Sequence, residues 1–511
     1  MTGVIAIRFR VYGLTVARLG WLGWMSILAA ALVLAPIAAV VFNIFLPSEA
    51  TWPHLASTVL PEYIKNTILL VLLVALGAIL FGVLSAWLVT AYRFPGQHAL
   101  EWALVLPLAM PAYVMAYAYT DWLEAAGPVQ TLLRDLTGWR VREYWFPEIR
   151  SLPGAAAMLS FALYPYVYLL SRNAFLEQSR TTMEAARLAG YGAWGRFWHV
   201  ALPLARTGIV AGTALALMET LADFGTVSYF AVNTFTTGIY RAWLSLGDPV
   251  AAGQLATCLL IFVLLMLVME RMHRGGARYA AQRTPMPPQP LTGWRSWLAF
   301  VLCATPITFG FFIPALVLLK LAWTEPEAQL GARIYGLVAN TSTLAGVAAI
   351  VAVTVALLLA YAARSVKSPL IYGANQLAVL GYALPGAVIA VGILLPLGRL
   401  DNALAGWAEQ QFGWNVGLLL TGSIAALIYA YVVRFLAIAF QTIEAGLTRV
   451  TPSMDDAARS LGHSPAGTLL RVHIPIMWGS VATATLLVFV DVMKELPATF
   501  AMRPFNFDTL A

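Results

Sequence analysis

The sequence predicts an all-α polytopic membrane protein built from two pseudo-symmetric six-helix repeats, and three observations predict it. The first is composition: 60% of residues are hydrophobic and only 11% charged, too few charges to cover a soluble domain. The second is the recurrence of apolar runs about 20 residues long, enough helix to cross ~30 Å of hydrocarbon. The third is a short polar signature that occurs twice, each residue of the second copy standing 272 positions after its mate.

The runs lie at 21–45, 66–91, 101–120, 152–174, 205–231 and 251–270, and again at 297–322, 340–363, 370–398, 416–439 and 477–500. The first is too long for a secretory h-region and lacks a small-residue cleavage site, so it reads as a retained helix. Arg8, Arg10, Arg18, Arg93, Arg364, Lys367, Arg271, Arg274, Arg278, Arg283 and Arg295 all fall on one side if the spans alternate. The excess of Lys and Arg makes that side, with the N-terminus, the cytoplasm. Glu49, Glu62, Glu325, Glu327, Asp401 and Glu409 belong to the opposite loops, although the loop at 121–151 departs from the rule with four arginines. The net charge of +7 therefore reports topology in a lipid bilayer, and no nucleic-acid partner is expected. Cys258 and Cys303 lie inside apolar runs, which argues against a disulfide framework.

The duplication extends through the chain. Asn66 and Asn340 each open a long apolar run, and Pro111 and Pro385 keep the same offset of 274 inside the next, where they are expected to kink their helices. Tyr164-Pro165-Tyr166-Val167 resembles Tyr429-Ala430-Tyr431-Val432, and Phe235 and Thr237 match Phe507 and Thr509. Both copies enter from the same side, as a parallel repeat does. The organisation expected is a first repeat at 1–271, a cytoplasmic tether at 272–296 and a second repeat at 297–511. The second repeat stops two residues after Thr509, so a twelfth span is expected beyond Ala511.

The polar signature reads Glu184-Ala185-Ala186, Gly190, Val200, Leu202-Pro203, and then Asp456-Ala457-Ala458, Gly462, Val472, Ile474-Pro475. Met183–Ala189 predicts a short helix, with Gly190 suited to the left-handed position that ends it. A second helix is expected to run to about Ala201, and Pro203 to permit a turn into the next span. Phe197, Val200 and Leu202 give that helix an apolar face, and Arg187 and Arg196 polar ones. A single copy would suit an amphipathic helix resting on lipid. Two copies with fixed internal spacing read as a docking platform.

With these residues the chain resembles the permease subunits of binding-protein-dependent ABC importers of the type I fold, over essentially its whole length. The resemblance implies that 184–203 and 456–475 each dock one of two ABC ATPase protomers, Asp456 and Ile474 being conservative departures. No G-x4-G-K-[ST] phosphate loop occurs. The chain is therefore expected to bind no cofactor and to be no enzyme, with ATP used by the partner subunit. The implied location is the bacterial inner membrane.

Within the spans stand two charged pairs, Glu219 with Asp223 and Asp491 with Glu495, again 272 positions apart and each at i, i+4 on one predicted helical face. Counted from Pro203, Glu219 lies roughly 24 Å along the helix at ~1.5 Å per residue. Each such charge costs on the order of 2.5–3.5 kcal/mol at the bilayer centre. One reading makes them structural, through pairing with Lys494, helix capping or a wet vestibule. The other lines a cation path with carboxylates that hold the ion transiently. The strings ETLADFGTVSYF and KELPATFAMRPFNFDTLA resemble fused two-half ferric-iron permeases, which implies ferric iron as cargo and a periplasmic iron-binding protein as partner. Tyr113, Tyr117, Tyr164, Tyr166 and Tyr168 are weaker oxygen ligands, better suited to interfacial belts or packing. His199, His463 and His473 lack metal-ligand spacing and read as solvated surface histidines. Polyamine, thiamine and phosphonate importers are the nearest alternatives. A secondary transporter would leave both docking loops without a purpose.

Overall fold

The computed structural model describes residues 20–46, 51–141, 143–274, 288–324, 331–366, 368–415 and 417–511. Arg8, Arg10, Arg18, Glu49, Arg278, Arg283, Glu325, Glu327 and Lys367, with the side chains of Arg271 and Arg274, lie outside the described residues. Among those described the protein is all-α apart from one two-residue strand pair. Among the described residues nine helices are long and apolar enough to span a membrane, and two bent helix pairs bring the number to eleven. Each of the eleven overlaps one apolar run of the sequence.

The prolines do not kink their helices. Pro111 and Pro385 each stand before a new helix, as the extended N-cap of Ala112–Leu123 and of Gly386–Phe412. The ring excludes helical backbone from the residue before it, and Met110 is accordingly extended. The third span is therefore a pair of helices bent by 92°. Asn66 and Asn340 likewise do not begin their helices, which start at Leu60 and Ala332. Each side-chain amide instead donates to a distant backbone carbonyl, Asn66 to Asn233 (2.9 Å) and Asn340 to Asp508 (3.0 Å).

Two compact units are present. The larger comprises Ala38–Asn340, Ala383–Leu427 and Lys494–Ala511. Its core is packed by the helices Leu60–Ala91, Leu152–Leu176 and Leu202–Ala222, with Val74, Ala78, Leu159, Val167 and Ala205 at its centre. Small residues let the backbones approach: a Cβ at Gly212 would lie 2.7 Å from Val167 Cα. The helix Trp294–Ile307 adds Cys303 and Ile307 to this core, and beyond it Phe309 accepts a 2.5 Å hydrogen bond from Tyr119. The smaller unit comprises the described part of Met1–Ile37 with Thr341–Tyr382 and Ile428–Met493. Here the Tyr429 hydroxyl donates to Leu32 in the first helix (2.5 Å). The opening helix of each sequence half is thus bonded to helices of the other half, and the compact units interleave the two repeats.

Two polar segments differ from expectation. Asp401 is buried rather than solvated in a loop. Its carboxylate gathers the amides of Leu419, Leu420 and Thr421 at 2.6–3.2 Å, which offsets its desolvation. The tether is also partly fixed: Gln289–Pro290 pairs in parallel with Tyr92–Arg93, and Leu291 donates to Arg93.

Candidate functional site

Both copies of the polar signature fold into the same backbone. The helix of the first copy is Arg180–Leu188 and that of the second Pro452–Ser460. Gly190 and Gly462 come next in the left-handed region, φ 86° and 79°. Around each glycine two hydrogen bonds close a Schellman motif. Gly190 donates to Arg187 and Tyr191 to Ala186, while Gly462 donates to Arg459 and His463 to Ala458. A Cβ at either glycine would meet nothing within 4 Å, so backbone conformation, not space, selects glycine here. Ala186 and Ala458 turn inward and are buried. Glu184, Ala185, Asp456 and Ala457 face outward on the exposed surface, where Asp456 pairs with Arg459. Small residues outside and buried alanines beneath make a flat, charged helix face.

The segment after each glycine also repeats. A short helix, Ala193–Arg196 or Pro465–Thr468, widens into a π-turn at Phe197–Ala201 or Leu469–His473. The proline comes directly afterwards, as Leu202-Pro203 or Ile474-Pro475. Proline offers no N–H and clashes with the turn before it. A π-turn is a local widening of the helix, a device found often at functional sites. In the first copy the helix therefore runs on unbroken from Ala193 to Ala222 with no turn at Pro203. In the second the chain bends by 84° between Ile476 and Trp478.

The charged pairs do not share one helical face. Glu219 and Asp491 lie in the last turns of Leu202–Ala222 and Trp478–Met493, but Asp223 and Glu495 fall beyond those helix ends. Each of these latter two caps the next short helix. Asp223 accepts from the Val227 amide (3.1 Å) and the Thr226 hydroxyl (3.0 Å), at Gly225–Tyr229. Glu495 accepts from the amides of Ala498 (3.0 Å) and Thr499 (3.1 Å), at Pro497–Met502. Carboxylates beside the positive end of a helix are stabilised by those amides. The two capped segments meet. Phe224 and Phe500 have ring centroids 5.5 Å apart, and Tyr240 covers Phe224 at 4.0 Å while donating to the Pro497 carbonyl. A Cβ at Gly225 would stand 2.8 Å from Leu496. Among the described residues no three or more His, Cys, Asp or Glu side chains converge on one metal position.

Residues 78–275 match the family of binding-protein-dependent transport system inner membrane components. The chain is 32% identical over 202 residues to the molybdenum transport system permease protein ModB of Escherichia coli, covering 84% of that protein and 38% of this one. The chain belongs to this family. It is also similar to the Fe(3+)-transport system permease protein FbpB 2 of Haemophilus influenzae, 25% identical over 457 residues that cover 88% of this chain and 83% of that one. The sulfate transport system permease protein CysT of Escherichia coli is 27% identical over 252 residues, covering 88% of its length and 48% of this chain. This permease is thus a multi-span transport subunit of the binding-protein-dependent class.

Several side chains of the permease stand elsewhere than the sequence suggests. Tyr164 and Tyr168 are fully buried in the core of the larger unit, and Tyr168 donates to the Glu101 carbonyl (2.9 Å). His199 is exposed as expected, stacked on Tyr191. His473 is not: it is 0% exposed, with Nε2 2.5 Å from Asp455 Oδ1. Asp455 in turn takes the Arg364 guanidinium at 2.7 Å. Burial works to raise the Asp455 carboxyl, but hydrogen bonds from Arg364 and His473, reinforced by their charges, outweigh it and hold the group below the ordinary carboxylate range. Spacing gives no signal for this triad, because its members are 91 and 18 positions apart. The clue the sequence holds is that Asp455, His473 and Arg364 stand where the first copy has Met183, Ala201 and Thr90.

Proposed function

We propose that this permease passes ferric iron from a periplasmic binding protein to the cytoplasm of a bacterium, driven by two ABC ATPase protomers. The observation that carries the ATP-driven reading is the pair of glycine-terminated docking helices, alike in backbone and outward-facing residues. In this reading each sits on one ATPase protomer, and the chain itself neither hydrolyses ATP nor holds a cofactor. Ferric iron is favoured because the similarity to the Fe(3+)-transport permease runs through 88% of the chain and so through both halves. The molybdenum and sulfate relatives match 38% and 48% of it.

The mechanism proposed is alternating access. ATP closes the ATPase dimer and moves the two docking helices. The capped segments Gly225–Tyr229 and Pro497–Met502, in contact here, are the proposed gate. Asp223 and Glu495 hold the gate helices rather than the ion. Glu219 and Asp491, in the last turns of their span helices, are the carboxylates proposed to face the cation on its way. Asp223 and Glu495 would then contribute field but not direct coordination.

Cargo is decided by the complex of permease, ATPase and binding protein in nanodiscs. ATP hydrolysis is expected to rise when the binding protein carries ferric iron and not when it carries molybdate or sulfate. Stimulation by an oxyanion alone would reject iron and leave the ATP-driven reading intact.

A further inference from the structure

The two docking loops share a backbone but not what holds it. In the first, Met183 and Phe197 are buried in the apolar core, and Trp87 packs against Phe197 with centroids 5.3 Å apart. In the second, Asp455 and His473 occupy the positions of Met183 and Ala201 at the offset of 272. Tyr361 and Arg364 occupy those of Trp87 and Thr90 at the offset of 274. A largely apolar joint, in which the Gln178 amide donates to the Ala201 carbonyl (2.8 Å), has been replaced by a charged one. The Arg364 guanidinium donates through Nε to Asp455 (2.8 Å), through Nη1 to the Leu447 carbonyl (3.3 Å) and through Nη2 to the Val450 carbonyl (2.8 Å). One side chain therefore ties the end of the helix Ala332–Ser365 to the end of Ile424–Leu447 and to the docking helix Pro452–Ser460. Asp455 passes the link to His473 in the π-turn, whose ring meets Tyr361 edge-on at 5.3 Å.

We propose that Arg364, Asp455 and His473 are positioning residues that lock the second docking loop to the span ends. The first loop rides on a softer apolar contact, so the two ATPase protomers drive the permease through unequal joints. A fork that holds two backbone carbonyls and a carboxylate at once leaves less play than side-chain packing, because guanidinium geometry is directional. Breaking one partner of a largely buried charge set leaves the others uncompensated. The inference rests on the docking reading above.

The test uses the full complex in nanodiscs with loaded binding protein. Asp455→Asn is expected to keep the ATPase bound at wild-type stoichiometry, because the outward-facing Asp456 and Ala457 are untouched. It should lower binding-protein-stimulated hydrolysis about tenfold, with most of the loss recovered in Asp455→Glu. The matched variant of the first loop, Met183→Ala, should lower stimulation by less than Asp455→Asn does, because apolar packing around a truncated side chain partly relaxes. His473→Ala, which keeps the Arg364–Asp455 pair, decides the matter if Asp455→Asn does not fold. It should lose stimulation while retaining the ATPase. Full stimulation in Asp455→Asn or His473→Ala, or equal losses in the two loops, would overturn the proposal. Failure of the docking reading looks different: the wild-type loops would then not touch the ATPase at all.

Discussion

Replacing Gly190 and Gly462 together by valine will leave the permease in the membrane but break the link between ATP hydrolysis and transport. Both glycines sit at positive φ with open space around them, so the added side chain meets no neighbour and the cost is conformational. A left-handed L-residue costs roughly 1–2 kcal/mol, and more when β-branched. That lowers the population of each correctly ended docking helix by a factor of about 5–30. The Schellman bonds to Ala186 and Ala458 are lost with it, and the exposed face carrying Glu184 or Asp456 turns away from its partner. Transport per ATP in proteoliposomes should fall at least about fivefold in the double variant. Gly190→Asn with Gly462→Asn, which tolerates this backbone better, should restore much of it. Unchanged transport per ATP in the valine variant would remove the docking helices from the mechanism.

The second large effect is expected at the spans. Glu219→Gln with Asp491→Asn will reduce cation uptake while ATPase association persists, because each substitution keeps shape and removes charge. The loss of charged contacts worth ~1.5–3 kcal/mol corresponds to roughly 10–150-fold in rate. The partner residues should behave in another way. In Asp223→Asn and Glu495→Gln a carbonyl oxygen still accepts the amides of Val227 or Thr499, so uptake should survive. In Asp223→Ala and Glu495→Ala the cap is gone at a cost of about 0.5–2 kcal/mol, and the gate should leak. Uptake measured with radiolabelled iron separates the two. Full uptake in Glu219→Gln with Asp491→Asn would end the carboxylate path, and abolished uptake in Asp223→Asn would return that residue to it.

How much of this was legible in the sequence depends on the range of the interaction concerned. The spans were readable because hydrophobic length is a local property, and the docking helices because glycine at a fixed step after Ala-Ala is a local backbone demand. Position alone paired Glu219 with Asp223. It did not show that the helix stops at Ala222, since an i, i+4 argument assumes the helix it uses. The same limit applies to Pro111 and Pro385, where the sequence marks a perturbation but not whether the helix bends or begins. The repeat offsets place each opening helix in its own half of the sequence but say nothing of what it packs against. Their bonds, Tyr429 to Leu32 and Tyr119 to Phe309, are long-range and leave no local pattern. His473 differs from the solvated histidine expected of it for a related reason: its carboxylate partner Asp455, and Arg364 behind that, are linked to it by no spacing.

The twin docking loops carry the account, and cross-linking tests them most directly. Single cysteines at exposed Ala185 and Ala457 would be joined to the ATPase by a short bifunctional reagent in the assembled complex. Native mass spectrometry would then count the protomers held by one chain. Efficient cross-linking from both positions, with two ATPase protomers per chain, is the predicted result. No cross-link from either position, or a single protomer reached from only one, would contradict it.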